Sequence, residues 1–266
     1  MKKFVKILAI VLVIALSATL LYACGGDENT TGASENAAAS NGEAAPATDK
    51  LIMGTNAAFP PYEYYEGDKI VGIDAEVGAL IAEKLGMELE IKDMDFGGII
   101  SAVENGVIDI GMAGMTVNEE RLLQVDFSTS YAKGVQVVIV KEGTDIASLD
   151  DLAGKKIGVQ EATTGDIYAT DDFGEDNVKR YTNGAAAVAA LQSGIVDAVI
   201  IDNEPAKAFV EVNEGLAILE TAYAEEDYAI AIAKGNTELL DKINAALAEL
   251  TADGSIDAVV SKYIPA

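Results

Sequence analysis

The chain has 266 residues, half of them apolar, with 44 acidic against 18 basic side chains and a formal charge of −26. That length and apolar content suffice for one large or two smaller domains with a real core, and the charge argues against nucleic acid or anionic lipid as a partner of the folded body. There is no histidine and one cysteine, so an intramolecular disulfide, His-based catalysis and Cys/His metal sites are removed from consideration. No calcium-loop spacing is present, and neither a metal nor a cofactor is expected.

The chain begins "MKKFVKILAIVLVIALSATLLYAC". A basic start followed by an apolar run from Ile7 to Leu21 reads as a secretory signal rather than a spanning helix. Its end, with Leu21 three residues before Cys24 and Ala23 directly before it, resembles a bacterial lipobox. Residues 1–23 are therefore expected to be a lipoprotein signal peptide, and Cys24 the lipidated new N-terminus. Residues 24–50 are Gly-, Ala-, Ser-, Asn- and Glu-rich with almost no large apolar side chain. Such a segment buries too little surface to fold and reads as a disordered tether. Together these features predict an extracytoplasmic protein, lipid-anchored to the cell membrane.

From residue 50 the pattern alternates between periods of two and 3.6. "KLIMGTN" is a predicted strand. Asp74 precedes "AEVGALIAEKLG", whose apolar residues at 77, 80, 81 and 85 share a helix face, with Gly86 as the stop. "MELEIKDM" then reads as strand, "FGGIISAVENG" as helix and "VIDIGMAG" as strand. "EER", at 119–121, reads as a helix start. The second half repeats the alternation: strands at "KKIGVQ", "VKRYT" and "VDAVIID", helices at "GDIYATDDF", "GAAAVAALQSG" and "EPAKAFVEV". "EDYAIAIAKG" reads as one more strand, and "TELLDKINAALAEL" and "IDAVVSKYI" as closing helices. The layout is α/β.

The stretches "AVENGVIDIGMAG" (102–114) and "ALQSGIVDAVIID" (190–202) echo each other: helix end, Gly, two β-branched residues, Asp, strand. Such an echo arises at any helix–Gly–strand corner, or from two lobes of like topology. Two lobes would draw ligand groups from the loops past the carboxyl ends of these strands. Those loops carry Gly114 and Thr116 in one half and Asp202 in the other. "VQVVIV" (135–140) and "YAIAIA" (228–233) are candidate crossings between lobes.

Only two arginines occur, Arg121 and Arg180. An amino-acid zwitterion needs a guanidinium fork and backbone N–H donors for its carboxylate, a carboxylate for its ammonium, and walls for its side chain. Arg121, "ATTGD" at a helix start with Thr163 and Thr164, Asp202, and Phe59 and Phe96 past strand ends offer that set. Each also has an ordinary structural use. Arg121 could pair with Glu119, Glu120 or Asp126, Asp202 could cap the helix near Pro205, and the phenylalanines could be core.

The run from "GTNAAFPPYEYYEG" through "AGMTVNEERLLQVDFSTSYA", with "SLDDLAGKKIGVQEATTGD", "LQSGIVDAVIIDNEPA" and "ADGSIDAVVSKY", resembles the extracellular solute-binding proteins of family 3, the polar amino-acid receptors of ABC importers. The resemblance covers about residues 51–266. It implies a two-lobed, type II periplasmic-binding-protein fold with two hinge strands, lobe 1 being residues 51–133 plus 228–266 and lobe 2 residues 134–227. It implies a monomer that binds a free polar amino acid and hands it to a membrane permease. By position it makes Arg121 the fork on the ligand carboxylate, helped by Thr116 and Thr164. Asp202 and the backbone at Gly114 would take the ammonium, and Phe59 and Phe96 would wall the side chain. Asn56 stands where many members carry an aspartate against a polar or basic side chain, which weighs against a strongly basic ligand. Two phenylalanine walls suit arginine, lysine, glutamine or histidine, and Glu63 and Asp166 are further side-chain candidates. Gly114 stands where some members have serine, and Ala162 where glycine is commoner. The alternative functions are a dehydratase-like enzyme for small carboxylic acids on the same fold, and a sensor without transport.

Overall fold

A computed structural model describes residues 49–220 and 222–264; the expected signal peptide, Cys24 and all but the end of the tether lie outside them. The first lobe opens with β1 (Lys50–Thr55) and a small sheet of β2 (Ala58–Phe59), β3 (Glu63–Glu66) and β4 (Lys69–Val71). It continues through α1 (Ile73–Leu85), β5 (Glu88–Asp93), α2 (Ile99–Glu104), β6 (Ile110–Gly111), α3 (Glu119–Gln124) and β7 (Val125–Phe127). The ten-residue strand β8 (Ala132–Lys141) leads into the second lobe. There follow β9 (Ile157–Gln160), α4 (Thr164–Phe173), β10 (Val178–Tyr181), α5 (Gly184–Gln192), β11 (Ala198–Asp202), α6 (Asn203–Val212) and β12 (Leu216–Ile218). The chain returns along β13 (Ala224–Tyr228) to β14 (Ala231–Ala233) in the first sheet and ends in α7 (Thr237–Ala252) and α8 (Ser255–Tyr263).

The two larger sheets share one plan. In the first, β5, β1 and β6 are parallel in that order and β14 runs antiparallel beside β6. In the second, β10, β9 and β11 are parallel in that order and β8 runs antiparallel beside β11. The repeated corners in the sequence have a common cause. Gly106 and Gly194 both take left-handed φ and end their helices. Val107 N donates to the Ala102 carbonyl and Ile195 N to the Ala190 carbonyl, both at 2.9 Å. The aspartate that follows then ties the corner to the neighbouring parallel strand, at Ile52 within β1 or at Lys156 just before β9. Asp109 accepts from Ile52 N at 2.7 Å, and Asp197 accepts from Lys156 N at 2.8 Å. Each Gly–β-branched–Asp corner thus starts a parallel strand in register with its neighbour.

Val77 and Ile81 on α1 pack with Leu51, Met53, Ile110 and Ile232 in the first core. Val138, Val140, Ile157, Val159, Ala198 and Ile200 make one core of the second. Each such buried Val, Leu, Ile or Met side chain contributes about 1.5–3 kcal/mol. Strands buried on both faces read as continuous apolar runs, which is why "VQVVIV" and "VDAVIID" are legible.

Three boundaries differ from expectation. "EDYAIAIAKG" is two strands: the antiparallel pairing of β13 with β8 ends at Tyr228 opposite Ala132, and β14 begins at Ala231. The return crossing is therefore residues 224–228 rather than 228–233. "VIDIGMAG" supplies only the two strand residues of β6. Asp74 is the second residue of α1 rather than its predecessor, and its carboxylate turns inward, accepting from Gly114 N and from the Tyr131 hydroxyl, both at 2.8 Å.

Candidate functional site

The carboxyl ends of β1 and β6 in one lobe, and of β9 and β11 in the other, converge on a narrow, largely closed cavity. All eight residues singled out from the sequence line it: Asn56, Phe59, Phe96, Gly114, Thr116, Arg121, Thr164 and Asp202. Glu63, Ala113, Gln160 and Thr163 complete the lining.

Arg121 is the third residue of α3, whose start is capped by Asn118. Its side chain is 5% exposed. Nη1 donates to the Thr116 carbonyl at 2.7 Å and Nη2 to the Ala162 carbonyl, in the other lobe, at 3.0 Å. The guanidinium carbon lies 5.3 Å from the Phe96 ring centre, within cation–π range. Among the described residues no carboxylate pairs with it: Glu119 and Glu120 are exposed, and Asp126 pairs with Lys234 at 2.8 Å. Burial lowers its pKa, with the nearby acids Glu226 and Asp202 pulling the other way, but an arginine stays charged. Arg180 is the opposite case. It donates to Asp166 at 2.8 Å and also bonds Glu175 and Thr170. This draws Asp166 out of the candidate set: its carboxylate serves Arg180 and the Ala162 amide.

Asp202 ends β11 at the N-cap position of α6, yet its side chain makes no capping bond. It is 8% exposed and accepts from Gln136 Nε2 at 2.8 Å and from the Tyr228 hydroxyl. Gln136 lies on β8 and Tyr228 on β13, so both connecting strands hold this carboxylate. Burial raises its pKa to about 7; the Tyr228 and Gln136 bonds oppose this, and neighbouring Glu226 adds to it. Glu226 itself accepts from Gln136 Nε2 at 2.9 Å, and its Oε1 is buried with no partner among the described residues.

Thr163 caps α4 through its hydroxyl, accepting from Asp166 N at 3.3 Å. Thr163 and Thr164 at the start of α4 both line the cavity, and a helix start favours an anion. Ala162, just before, holds φ 65°, which explains the preference for glycine there. Asn56 Nδ2 donates to the Met94 carbonyl at 2.9 Å, and its Oδ1 accepts from Gln160 Nε2 at 3.0 Å, joining the lobes across the cavity. Gly114 takes φ 53°, and a Cβ there would come within 2.9 Å of a Phe59 ring atom. Gly114→Ala is expected to weaken ligand binding roughly tenfold or more and to cost about 1–2 kcal/mol of stability. Titration calorimetry and denaturant unfolding measure the two.

Sequence reading left Glu63 without a position and did not single out Gln160, Gln136, Glu226 or Tyr228. Gln160 had a signal, since it ends the strand "KKIGVQ" and strand ends point to the site. Glu63 lies at the start of β3 in the small sheet, which the aromatic run "PPYEYYEG" does not announce. Gln136, Glu226 and Tyr228 act from the connecting strands behind the site, where nothing in the sequence marks a contact to Asp202.

A two-lobed α/β body with a cavity between its strand ends, lined by a buried guanidinium and buried carboxylates, defines a binding protein of the solute-receptor class. The model of bacterial extracellular solute-binding proteins, family 3, matches residues 51–266, and the chain belongs to that family. Its members are binding proteins, and the family places the chain outside the cytoplasm. The arginine-binding extracellular protein ArtP of Bacillus subtilis (strain 168) is 34% identical over 258 residues, covering 96% of each chain. An ancestral arginine-binding protein solved bound to arginine is 44% identical, with a TM-score of 0.77, over 82% of this chain and 99% of the other. The ancestral arginine-binding protein solved bound to glutamine is likewise 44% identical, with a TM-score of 0.78, over 82% and 98%.

Proposed function

We propose that the protein is the amino-acid receptor of an ABC importer and that its ligand is a basic amino acid, arginine first, with glutamine as a neutral second. The carrying observation is Arg121, a buried guanidinium without a carboxylate partner among the described residues, in one cavity with the buried carboxylates Asp202 and Glu63. In this reading Arg121, Thr116, Thr164 and the N–H groups of α4 take the α-carboxylate. Asp202 and the backbone at Gly114 take the α-ammonium, and Phe59 and Phe96 flank the side chain. Asn56 cannot meet a cationic side chain as an aspartate would; Glu63 supplies that carboxylate instead. The names of the relatives, arginine-binding and in one case solved with glutamine, support this choice.

The moving bodies are residues 51–133 with 228–266, and residues 134–227, linked by β8 and β13. Ligand contacts from both bodies favour the closed arrangement, which is the differential interaction that closure needs. Lipidation at Cys24 would hold a monomer at the membrane surface, where the permease takes its ligand.

The test is a thermal-shift panel of all common L-amino acids on the purified protein, after unfolding and refolding to strip carried ligand. A ligand at about a hundred times its Kd adds roughly 2.7 kcal/mol. Arginine is expected to give the largest shift, with lysine, histidine or glutamine next. A panel in which no amino acid moves the melt overturns the reading.

A further inference from the structure

Behind the cavity lies a second carboxylate. Glu63 is 1% exposed, lines the cavity, and has an Oε2 with no hydrogen-bond partner among the described residues. Asp74, fully buried in α1, backs it. Both Asp74 oxygens already accept, from Tyr131 and from Gly114 N, and its backbone N–H donates to the carbonyl of Tyr62, the residue before Glu63, at 2.9 Å. Two neighbouring buried carboxyl groups with no cation between them cannot both be charged, and hold one proton between them.

The surroundings favour keeping that proton. The Tyr131 hydroxyl donates to Asp74, the negative charges of Asp74 and Asp202 act on Glu63, and those of Asp74, Asp202 and Glu204 act on the neighbouring Tyr62. Arg121 in the same cavity is the one cation of the described lining. Burial and then Asp74 hold Glu63 well above the carboxylate range. Burial raises Asp74 to about 6, while its Gly114 and Tyr131 donors favour its ionised form. The proton therefore rests on Glu63 and the charge on Asp74.

Taking the receptor reading above as its basis, we propose that this shared proton sets the side-chain charge the site accepts. A neutral amide side chain is met by Glu63 as an acid, which donates its O–H to the amide oxygen and keeps the proton. A guanidinium or ammonium side chain is met by Glu63 as a carboxylate, and the proton leaves to solvent; the ligand keeps its own. Glu63 is the contact, and Asp74 is a positioning residue that fixes where the proton lies. Below the pKa of Glu63, arginine affinity falls ~tenfold per pH unit relative to glutamine.

The experiment is titration calorimetry of the purified protein with arginine and with glutamine near pH 6, in buffers of low and high ionisation enthalpy. The two ligands share their α-groups, so proton changes at Asp202 cancel in the comparison. Arginine is expected to release about one proton more than glutamine. In Glu63→Gln the excess vanishes and arginine weakens by roughly a hundredfold, while glutamine stays within about tenfold. In Asp74→Asn the excess shrinks, because Glu63 without its charged neighbour ionises more readily; a merely structural Asp74 would weaken both ligands and leave the excess unchanged. Equal proton counts for the two ligands in the unaltered protein, or an undiminished excess in Asp74→Asn, overturn the inference and leave the receptor reading standing. Binding of neither ligand overturns both.

Discussion

Arg121→Met is expected to abolish amino-acid binding and to leave the fold intact. The methionine keeps apolar bulk over Phe96, where the guanidinium now lies, but has no donor for a carboxylate. Removing one side of a buried, bidentate charge pair costs 2–5 kcal/mol or more, so Kd should rise by roughly a thousandfold. The ligand-free protein loses only the bonds to the Thr116 and Ala162 carbonyls. It also sheds a buried cation without a carboxylate partner, whose desolvation works against folding. The two effects nearly offset, so the melting temperature without ligand should move by a few degrees at most. Arg121→Lys keeps the charge and loses the planar fork, and should fall between the two proteins in calorimetry. Arg180→Met is the control. It breaks the surface network with Asp166 and Glu175, and should leave affinity untouched. An Arg121→Met protein that binds as tightly as the unaltered chain would falsify the site assignment.

The contrast between the two arginines shows what is legible in a sequence like this one. The elements are legible because their patterns are local. Helix α1 shows its apolar stripe, the corners at Gly106 and Gly194 announce themselves by the same residue order, and β8 and β11 read as apolar runs. Strand ends follow from the elements, so residues just past them such as Phe59, Phe96, Gly114, Thr116 and Asp202 could be named in advance, while Asn56 was named through the family resemblance alone; all of these line one cavity. What fails is everything decided by partners distant in sequence. The surface pairing of Arg180 and the interior place of Arg121 depend on which acids the folded chain brings near. The inward turn of Asp74 depends on Tyr131 and Gly114, dozens of residues away. The break between β13 and β14 arises because one apolar run serves two sheets, and no change of residue type marks the change of sheet. Glu63 escaped placement for a related reason: its small sheet owes its form to the packing of Phe59, Tyr62 and Tyr228 rather than to a strand pattern of its own.

Asp202→Asn separates the cost of the site from its use. Burial raises the Asp202 pKa to about 7 in the folded protein, against about 3.9 for a free aspartate. The folded state thus holds this proton more tightly than the unfolded one. Its contribution to stability is full below about pH 4 and is lost as pH rises toward 7, amounting to roughly 4 kcal/mol across that window. An asparagine is neutral throughout. Its oxygen can keep the Tyr228 bond, while its amide meets Gln136 Nε2 donor to donor, a loss of about 1–2 kcal/mol. The expected result is a crossover in ligand-free unfolding: Asp202→Asn is less stable than the unaltered protein at pH 4.5 and more stable, by about 2 kcal/mol, at pH 8. Its slope with pH stays nonzero, because the Glu63 and Asp74 pair still holds its proton in the fold. Binding moves the other way. The ligand ammonium loses its charged partner, and affinity at pH 8 should fall roughly a hundredfold. A variant that is both more stable and unable to hold its ligand would identify Asp202 as a group kept buried for binding. A variant less stable at every pH would show that Asp202 is held in place by its bonds to the two connecting strands rather than kept there for a ligand.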